Sequence, residues 1–388
     1  ASDAGASDQL GEYDVSISGN TIVSGARYWD DPSDANAGQA YVFKKSGGTW
    51  SQSQAIRPAV YSGAQDQFGL GAAIDGNTII VCAPRNDQTG TDRGMAYVFT
   101  RDSAEGAFSE TQNQLYSSSS KFLGSGGVSL DSDANIFVTG NYIDNSSGLN
   151  DGGSADVFTR SGSTWSHSQR IAPSDTEASD NVGGAIAVEN NTILIGAKND
   201  DGTTNSTSGS GVVYVYTRAD ASSSFTELQQ LRRSTPASGD GFYTCSLSGN
   251  TAAIGATHTD SGGVYTLGTV DIFKRDSADG LFTYSQQLMA SDAVQGTAFG
   301  AAVSLDGNTL ISSAITTTSQ GAVYVFSRPS ESQDFTQKAK ITASNGAASD
   351  YLGRFTGSIS LDTTNGVLAA GAYGTDGGGS NAGSVYVF

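Results

Sequence analysis

The sequence predicts an all-β chain folded as a seven-bladed β-propeller, in which each blade is a four-stranded antiparallel sheet. Three observations support this fold class: a phrase of the type Gly-x-x-Tyr-Val-Phe returns seven times, two short apolar runs joined by a tight turn precede it, and no segment of helical period is long. Successive phrases end 56, 59, 58, 57, 53 and 62 residues apart. The chain is therefore built from one repeated unit, and the phrases end at Phe43, Phe99, Phe158, Tyr216, Phe273, Phe326 and Phe388.

Each unit opens with an aromatic or aliphatic residue followed by glycine, as in Leu10-Gly11. A short strand of small residues follows, for example residues 301–305, and we expect it at the crowded centre of the ring. The next residues, such as the Asp-Gly-Asn-Thr sequence at 306–309, are typical of a β-hairpin turn. A second apolar strand, such as 193–197, then leads into a loop of variable length.

The third strand is the Tyr-Val-Phe phrase, and a polar connection joins it to a fourth strand that opens with an aromatic residue. A lone sheet of this kind leaves one face unburied, whereas units stacked in a closed ring bury every face. Residues 1–388 are therefore predicted to form a single propeller domain. Its repeats are expected at approximately 9–66, 67–121, 122–180, 181–240, 241–297, 298–350 and 351–388.

The seventh unit differs from the others because it ends at Phe388, directly after its third strand. Residues 1–8 match residues 343–350, which follow a fourth strand. The last blade is therefore predicted to lack its fourth strand within this chain. Two interpretations are open: the strand lies beyond these residues, or the blade has three strands and its free edge pairs with a neighbouring module or chain.

The pattern resembles the FG-GAP repeat family, which includes the propeller at the head of integrin α chains. The Phe68-Gly69 and Phe299-Gly300 openings, the Gly25-Ala26 and Gly196-Ala197 ends of second strands, and the Gly-x-x-Tyr-Val-Phe strands carry the resemblance across essentially the whole chain. It implies a seven-bladed propeller. It is weak evidence for function, because propellers host binding, scaffolding and catalysis alike.

The resemblance also implies a test for calcium, because integrin-like members carry Asp-rich calcium loops in several first hairpins. Here most of these hairpins have too few oxygen ligands for Ca²⁺, which takes six to eight. Only Asp131, Asp133 and Asn135 in blade three have the spacing, without the following glycine and the distal acid. They are the candidate metal ligands, and the alternative interpretation is an ordinary polar hairpin.

The charge of the chain narrows the range of partners. Lys and Arg together number 20 and Asp and Glu 39, which gives a net charge of −19. Nucleic acids and anionic membrane surfaces would be repelled, so we expect neither as a partner. No apolar run approaches the roughly 18 residues that cross a bilayer, so we expect no membrane insertion. An extracellular or cell-surface location fits this composition best.

We expect a ligand on the face that carries the loops between second and third strands, because loops on a rigid scaffold usually hold recognition residues. Trp29 and Tyr28 are candidate stacking platforms, and aspartates there could accept hydrogen bonds from a polyhydroxyl ligand. The alternative is that these aspartates cap turns and keep the surface soluble. Tyr142 and Lys198 lie in the same set of loops. The candidate ligand-binding residues are Tyr28, Trp29, Asp30, Asp31, Arg85, Asp87 and Asp200.

Signs of catalysis are scarce, so the chain is predicted not to be an enzyme. Its two histidines, His167 and His258, fall in different blades, and no nucleophile or phosphate-binding motif is present. Cys82 and Cys245 also fall in different blades, which predicts two buried free thiols. The first hypothesis is an extracellular binding or adhesion module for a protein or glycan. The alternatives are a structural subunit of a cell-surface assembly, joined through the last blade, and a polysaccharide hydrolase or lyase.

Overall fold

The computed structural model describes residues 3, 5–59, 63–145, 147–202, 207–257, 267–315, 320–377 and 379–388. These residues form seven separate antiparallel sheets that follow one another around a ring, which confirms the predicted propeller. The part of the chain described contains strands, turns and bends but no helix. It therefore contains no helix that could cross a bilayer.

Six blades have four strands and the seventh has three, as predicted. Within each sheet, strands that are consecutive in sequence are neighbours. Blades one to four contain β1 (Val15–Ser18), β2 (Thr21–Ala26), β3 (Gln39–Ser46), β4 (Thr49–Ile56); β5 (Gly71–Asp75), β6 (Thr78–Ala83), β7 (Met95–Thr100), β8 (Ser109–Leu115); β9 (Val128–Asp131), β10 (Ile136–Asn141), β11 (Ser154–Ser161), β12 (Thr164–Ile171); β13 (Val182–Glu189), β14 (Thr192–Ala197), β15 (Val212–Thr217) and β16 (Thr226–Leu231).

Blades five to seven continue the same order and complete the ring. They contain β17 (Phe242–Ser248), β18 (Thr251–Ala256), β19 (Thr269–Lys274), β20 (Thr283–Leu288); β21 (Phe299–Asp306), β22 (Thr309–Ala314), β23 (Ala322–Ser327), β24 (Thr336–Ile341); β25 (Ile359–Asp362), β26 (Val367–Ala372) and β27 (Ser384–Val387).

The second strands form the buried layer of the blades, and their glycines are needed for close packing. β2 and β14 are buried along their whole length, whereas β4 alternates between exposed and half-buried residues. A Cβ atom on Gly25 would lie 1.7 Å from the carbonyl oxygen of Gly69 in the next blade. Only glycine allows the two backbones to approach so closely, which explains the Gly-Ala ending of these strands.

The face that carries the tight turns has one contact that repeats at all seven junctions. A polar side chain at the end of each first strand accepts a hydrogen bond from a backbone N–H in the turn of the next blade. The acceptor and donor residues are Ser18 and Gly76 (3.0 Å), Asp75 and Ser132 (2.8 Å), Asp131 and Asn190 (2.6 Å), Glu189 and Gly249 (2.6 Å), Ser248 and Gly307 (3.0 Å), Asp306 and Thr363 (2.8 Å), and Asp362 and Gly19 (2.7 Å).

The aromatic residues that open the fourth strands are fixed by two further repeated contacts. A glutamine of the preceding blade binds both backbone groups: Gln229 Nε2 donates to the Phe282 carbonyl (2.8 Å), and the Phe282 N–H donates to Gln229 Oε1 (2.9 Å). An arginine lies over five of the six rings, at 4.6 to 5.2 Å: Arg101 over Phe108, Arg160 over Trp165, Arg218 over Phe225, Arg275 over Phe282 and Arg328 over Phe335.

The outer edge of blade seven interrupts this pattern. In blade six, Ala339 stands where five other blades have the glutamine. Beside β27, Trp50 is only half-buried, although the other five opening aromatic residues are buried. A groove of about 330 Å³ lies there, lined by residues that include Phe43, Trp50, Val385 and Val387. The ring nevertheless closes inside, because the Leu10 N–H donates to the Ala382 carbonyl (3.1 Å).

Candidate functional site: the axial pocket

A pocket of about 250 Å³ opens at the centre of the loop-rich face. Blades one, three, four, five and seven all contribute to its wall, which places it on the axis of the ring. Its residues come from the starts of first strands and the ends of second strands, and these lie at the loop-rich edge of the blades. The wall is formed by Tyr13, Ser125, Gly126, Tyr142, Asn181, Gly184, Lys198, Asn199, Tyr243, Phe355 and Thr356.

Irregular backbone at the start of the first strands directs the large side chains into the pocket. Residues 12–14 and 354–357 link the opening of blades one and seven to their first strands. In blade five, Tyr243 follows Phe242 where the repeat has glycine, and the strand pairing slips at this point. Such bulges turn a side chain away from the sheet, and they are common next to functional sites.

Four aromatic rings give the pocket its shape. Tyr13 stacks on Phe355 with ring centres 4.9 Å apart and planes at 13°. Thr356 Oγ1 donates a hydrogen bond to the Tyr243 hydroxyl (3.3 Å). Burial raises the pKa of Tyr13 and of Tyr142, so both hydroxyls remain neutral at physiological pH. The pocket therefore combines apolar ring faces with neutral hydroxyl groups.

Cationic side chains surround these rings. Arg27 lies over Tyr13 (4.8 Å) and makes two bonds with Glu12, at 2.6 and 3.0 Å. Lys198 Nζ lies 5.5 Å from the centre of the Tyr243 ring. Arg354 lies 5.3 Å from the Phe355 ring. Among the described residues, neither Lys198 nor Arg354 forms an ion pair, so the rim carries more positive than negative charge.

Beneath the pocket lies a second cavity of about 200 Å³, and Gly126 and Thr356 line both. The Asp14 carboxylate enters this inner cavity and accepts hydrogen bonds from the N–H groups of Ala72 (3.0 Å) and Val128 (3.3 Å). A Cβ atom on Gly357 would lie 2.0 Å from Asp14 Oδ1, so glycine is required there. Burial raises the pKa of Asp14 to about 7.

The predicted stacking residues of blade one lie outside the axial pocket. Trp29 is half-buried, and the Arg57 guanidinium covers its ring at 4.7 Å. Arg57 also forms an ion pair with Asp31 (2.7 Å). Tyr28 lies under Arg27 at 4.3 Å, and Asp30 accepts a hydrogen bond from the Asn36 N–H (2.7 Å). The structure therefore gives each of these side chains a neighbour within the protein.

The other predicted contact residues are also bonded within their own blades. Asp87 accepts a hydrogen bond from the Asp92 N–H (2.6 Å), and Arg85 is exposed at 3.8 Å from the Asp92 carboxylate. Asp200 is buried and binds Arg232 (2.5 Å) and the Tyr214 hydroxyl (3.0 Å). Five aspartates that precede first strands on the same face do not line the pocket either. They are Asp8, Asp66, Asp180, Asp240 and Asp350.

The candidate calcium hairpin uses its oxygen atoms for other bonds. Asp131 accepts hydrogen bonds from the N–H groups of Ala134 (2.8 Å) and Asn190 (2.6 Å), one on each oxygen. Asn135 Oδ1 accepts a hydrogen bond from Arg160 Nε (2.8 Å), and Asp133 is exposed. These residues do not fit a calcium site in this arrangement, because a guanidinium group stands beside them. Within the described ranges, no group of three acidic, His or Cys side chains could hold a metal.

The histidine and cysteine residues take no part in the pocket. His167 Nε2 lies 2.6 Å from the buried Asp156 in blade three, and His258 lies outside the described residues. Cys82 and Cys245 are buried free thiols, as predicted.

Of the pocket residues, only Tyr142 and Lys198 were singled out from the sequence, and the aromatic residues that it did not reveal are Tyr13, Tyr243 and Phe355. The available signal was a departure from the repeat, because large residues stand at Tyr243 and Phe355 where most units have small ones.

The fold and this site together describe a seven-bladed propeller with an aromatic pocket on its axis. The chain belongs to the FG-GAP repeat family, whose pattern matches residues 1–43, 50–99, 165–216, 282–326 and 335–388, more than half of the chain. Among curated proteins, none matches the sequence.

Similar solved structures support the fold. A putative 6-phosphogluconolactonase from Bacteroides fragilis has a TM-score of 0.58 at 16% identity, with 92% of this chain and 88% of that chain covered. A protein of the same description from Bacteroides uniformis has a TM-score of 0.58 at 12% identity, covering 92% and 90%. A functionally unknown protein from Desulfotomaculum acetoxidans has a TM-score of 0.51 at 12% identity, covering 87% of each chain. At these identities the likeness shows the fold alone.

Proposed function

We propose that this protein is an extracellular, non-enzymatic binding module that holds a glycan in its axial pocket. The observation that carries the proposal is the pocket itself, in which Tyr13, Tyr142, Tyr243 and Phe355 surround about 250 Å³ on the axis. This volume is near the lower end of the roughly 300–1,000 Å³ typical of ligand sites. It suits a small unit, such as the terminal part of a glycan, better than a folded protein surface.

The chemistry of the wall suits a sugar. A sugar ring has an apolar face of C–H groups that packs on an aromatic ring, and hydroxyl groups at its edge that need hydrogen-bonding partners. Phe355 and the tyrosine rings provide apolar surfaces, while Asn199 and Ser125 provide amide and hydroxyl groups. The Asn181 amide holds Asn199 in place, because its Oδ1 accepts a hydrogen bond from Asn199 Nδ2 (2.6 Å). Tyrosine combines both functions with little loss of side-chain entropy, which favours its use in binding sites.

The same wall favours binding over hydrolysis or elimination. Hydrolysis of a glycosidic bond commonly uses two carboxyl groups on opposite sides of that bond. Among the described residues, those that line the axial pocket include tyrosine, asparagine and lysine but no Asp, Glu or His. Asp14 lies in the inner cavity, where two backbone N–H groups bind it.

A glycan array followed by calorimetry tests the proposal. We expect the protein to bind at least one glycan, and the Tyr243→Gly variant to lose at least tenfold in affinity. The matched control is Tyr284→Ala, since Tyr284 is 58% exposed on β20, outside the pocket. Equal loss in both variants, or retention of a protein ligand without any glycan ligand, would contradict a glycan pocket. Release of cleaved product would instead support a polysaccharide hydrolase or lyase.

A second candidate function, a subunit of a cell-surface assembly, is favoured by the groove beside β27. Phe43 and Trp50 are half-buried there, where the other blades have a fourth strand. We propose that a strand from a neighbouring module or chain fills this groove. Sedimentation at rising concentration should show self-association, which a fourth strand added after Phe388 should abolish. A chain that stays monomeric at all concentrations would argue against self-assembly through this edge.

A further inference from the structure

We propose that the axial pocket selects a glycan end that carries a single negative charge, and that Lys198 binds this charge. The inference rests on the proposed function, because it names the chemical class of sugar for the same pocket. The juxtaposition that carries it is a lysine, without an ion-pair partner in the part of the chain that the structure describes, at the edge of an aromatic pocket in a strongly acidic chain.

The charge around the pocket differs in sign from the charge of the whole chain. Acidic residues outnumber basic ones by 39 to 20, so a basic side chain usually has a carboxylate within reach. Around the pocket the balance is reversed, because Arg27, Lys198 and Arg354 lie against its aromatic rings, whereas the described carboxylates that act on these rings are Glu12 and Asp151. Arg27 binds both oxygens of Glu12 and neutralises it.

Lys198 lies at the edge of the pocket. It follows directly after β14, is half-buried, and lies against the Tyr243 ring. The two nearby aspartates are directed elsewhere: Asp180 accepts a hydrogen bond from the Glu177 N–H (2.6 Å), and Asp200 binds Arg232. Among the described residues, Lys198 therefore forms no ion pair, and it lines the pocket with its ammonium group against the Tyr243 ring.

Arg354 places a second positive charge near the pocket wall. Its guanidinium group lies over Tyr351 (4.5 Å), Phe355 (5.3 Å) and Tyr373 (5.7 Å). These contacts fix the guanidinium next to the Phe355 ring, and within the described residues it forms no ion pair, although Glu12 is near enough to feel its charge. A second positive charge near the wall strengthens the attraction for an anion that has left water.

The net charge of the chain limits how many negative charges the ligand can carry. A polyanionic polysaccharide would be repelled by the net charge of −19, whereas one carboxylate in the pocket meets the local excess of positive charge. A uronic acid at the end of an otherwise neutral oligosaccharide satisfies both conditions. It presents a ring face to the aromatic wall and a carboxylate to the Lys198 ammonium group.

The experiment compares two oligosaccharides of equal length, one ending in glucuronic acid and one ending in glucose, by calorimetry with the whole chain. We expect the acidic probe to bind at least tenfold more tightly. Lys198→Gln should abolish this difference, because it should lower the affinity for the acidic probe at least tenfold more than the affinity for the neutral probe. The matched control is Lys338→Gln, an exposed lysine on β24 that should change neither affinity. Equal unfolding temperatures of the variants and the parent protein confirm that folding is unaffected.

The outcomes separate the inference from the proposed function. Equal affinity for the two probes, or a preference that survives Lys198→Gln, overturns the inference and leaves a glycan pocket in place. If neither probe nor any arrayed glycan binds, the proposed function fails together with the inference. Tighter binding of a polyglucuronate chain than of the singly charged probe would overturn the limit on charge.

Discussion

The two faces of the ring are built in opposite ways. On the tight-turn face, each first strand ends in a side chain that binds the turn of the next blade, and this contact repeats at every junction from Ser18 to Asp362. On the loop-rich face, five blades contribute different residues to one pocket, including Tyr13, Tyr142 and Tyr243. One face is regular and holds the ring together, whereas the other is irregular and carries the candidate site.

The difference shows how to separate structural from functional positions in a repeat protein without any related sequence. A residue type that returns in each unit makes the same contact each time, and its role is packing. A residue that replaces the common type in one unit has a role that the fold does not require. Tyr243 stands where the repeat has glycine, and it lies in the pocket.

The largest effect is expected from Asp14, the carboxylate in the inner cavity. Its pKa is raised from 3.8 to about 7, so the stability that its neutral form provides is present below pH 4 and is lost as pH rises through 7. A shift of about three pKa units changes the free energy of unfolding by at most about 4 kcal/mol. Asp14→Asn should therefore unfold at a higher temperature than the parent protein at pH 8.

The control for this prediction is to compare the unfolding temperatures of the two proteins at several pH values. At pH 4 the two proteins should differ little, because Asp14 is neutral in the parent protein, and the gap should widen up to pH 7 and then stay constant. Among the residues that line the inner cavity, Cys245 is the other titratable group, and burial raises its pKa to about 12. A constant gap from pH 4 to pH 8 would show that Asp14 is charged throughout.

The next effect concerns the arginines of the tight-turn face. Arg275 donates hydrogen bonds to Thr192 Oγ1 (3.0 Å) and the Ala278 carbonyl (2.7 Å), and it covers the Phe282 ring. Arg275→Ala should lower the free energy of unfolding by about 3 kcal/mol, because it removes the donor to the buried Thr192 hydroxyl, the bond to the Ala278 carbonyl and the cover of the Phe282 ring. Urea unfolding measures this change.

The matched control lies in blade one. Lys45 occupies the equivalent position, but its Nζ is 6.0 Å from the Trp50 ring, which is only half-buried. Lys45→Ala should lower the free energy of unfolding by less than about 1 kcal/mol. If the two substitutions have equal effects, the buried hydrogen bonds of Arg275 do not provide the difference.

A smaller effect is expected at the junction between blades seven and one, which closes the ring. It tests whether this junction is as stable as the others. Asp362 binds the N–H groups of Asn365 (3.0 Å) and Gly19 (2.7 Å), as Asp131 binds those of Ala134 and Asn190. Asp362→Ala and Asp131→Ala should each lower the free energy of unfolding by about 1–2 kcal/mol. Urea unfolding of both variants measures whether blades seven and one are joined as firmly as blades three and four.

The same pair tests the calcium hypothesis. Since Asp131 behaves like the other turn residues, a chelator should leave the unfolding temperature of the parent protein unchanged. A fall in that temperature which disappears in Asp131→Ala, but not in Asp362→Ala, would show a metal at Asp131.

The sequence predicts the fold because the features that define it are local and repeated. The Tyr-Val-Phe strands, the turns and the Gly-Ala endings give the number of blades, the strand order and the three-stranded last blade. The pocket is not local, because its wall joins Tyr13 to Phe355 across the whole length of the chain. The strand pairing slips at the start of the first strand in blades four, five and six alike, so the side chains that meet on the axis depend on the residue type in each blade, which the repeat does not determine.

The smallest effect is expected from the aspartates of the loops, where the sequence left two interpretations open. Asp87 is exposed, and its Oδ1 accepts a hydrogen bond from the Asp92 N–H (2.6 Å). Asp87→Asn keeps a carbonyl oxygen in this position and removes the charge, so stability should change by less than about 0.5 kcal/mol, and Asp87→Ala should lower it by about 1 kcal/mol.

Glycan affinity separates the two interpretations. If Asp87 only caps its turn, neither variant changes binding in the axial pocket. If the carboxylate of Asp87 contacts the ligand, Asp87→Asn should weaken binding as strongly as Asp87→Ala, since both remove the negative charge. The loop-rich face would then hold a second recognition surface outside the axial pocket. The difference between the two faces of the ring would then extend from the axis to the rim of the loop-rich face.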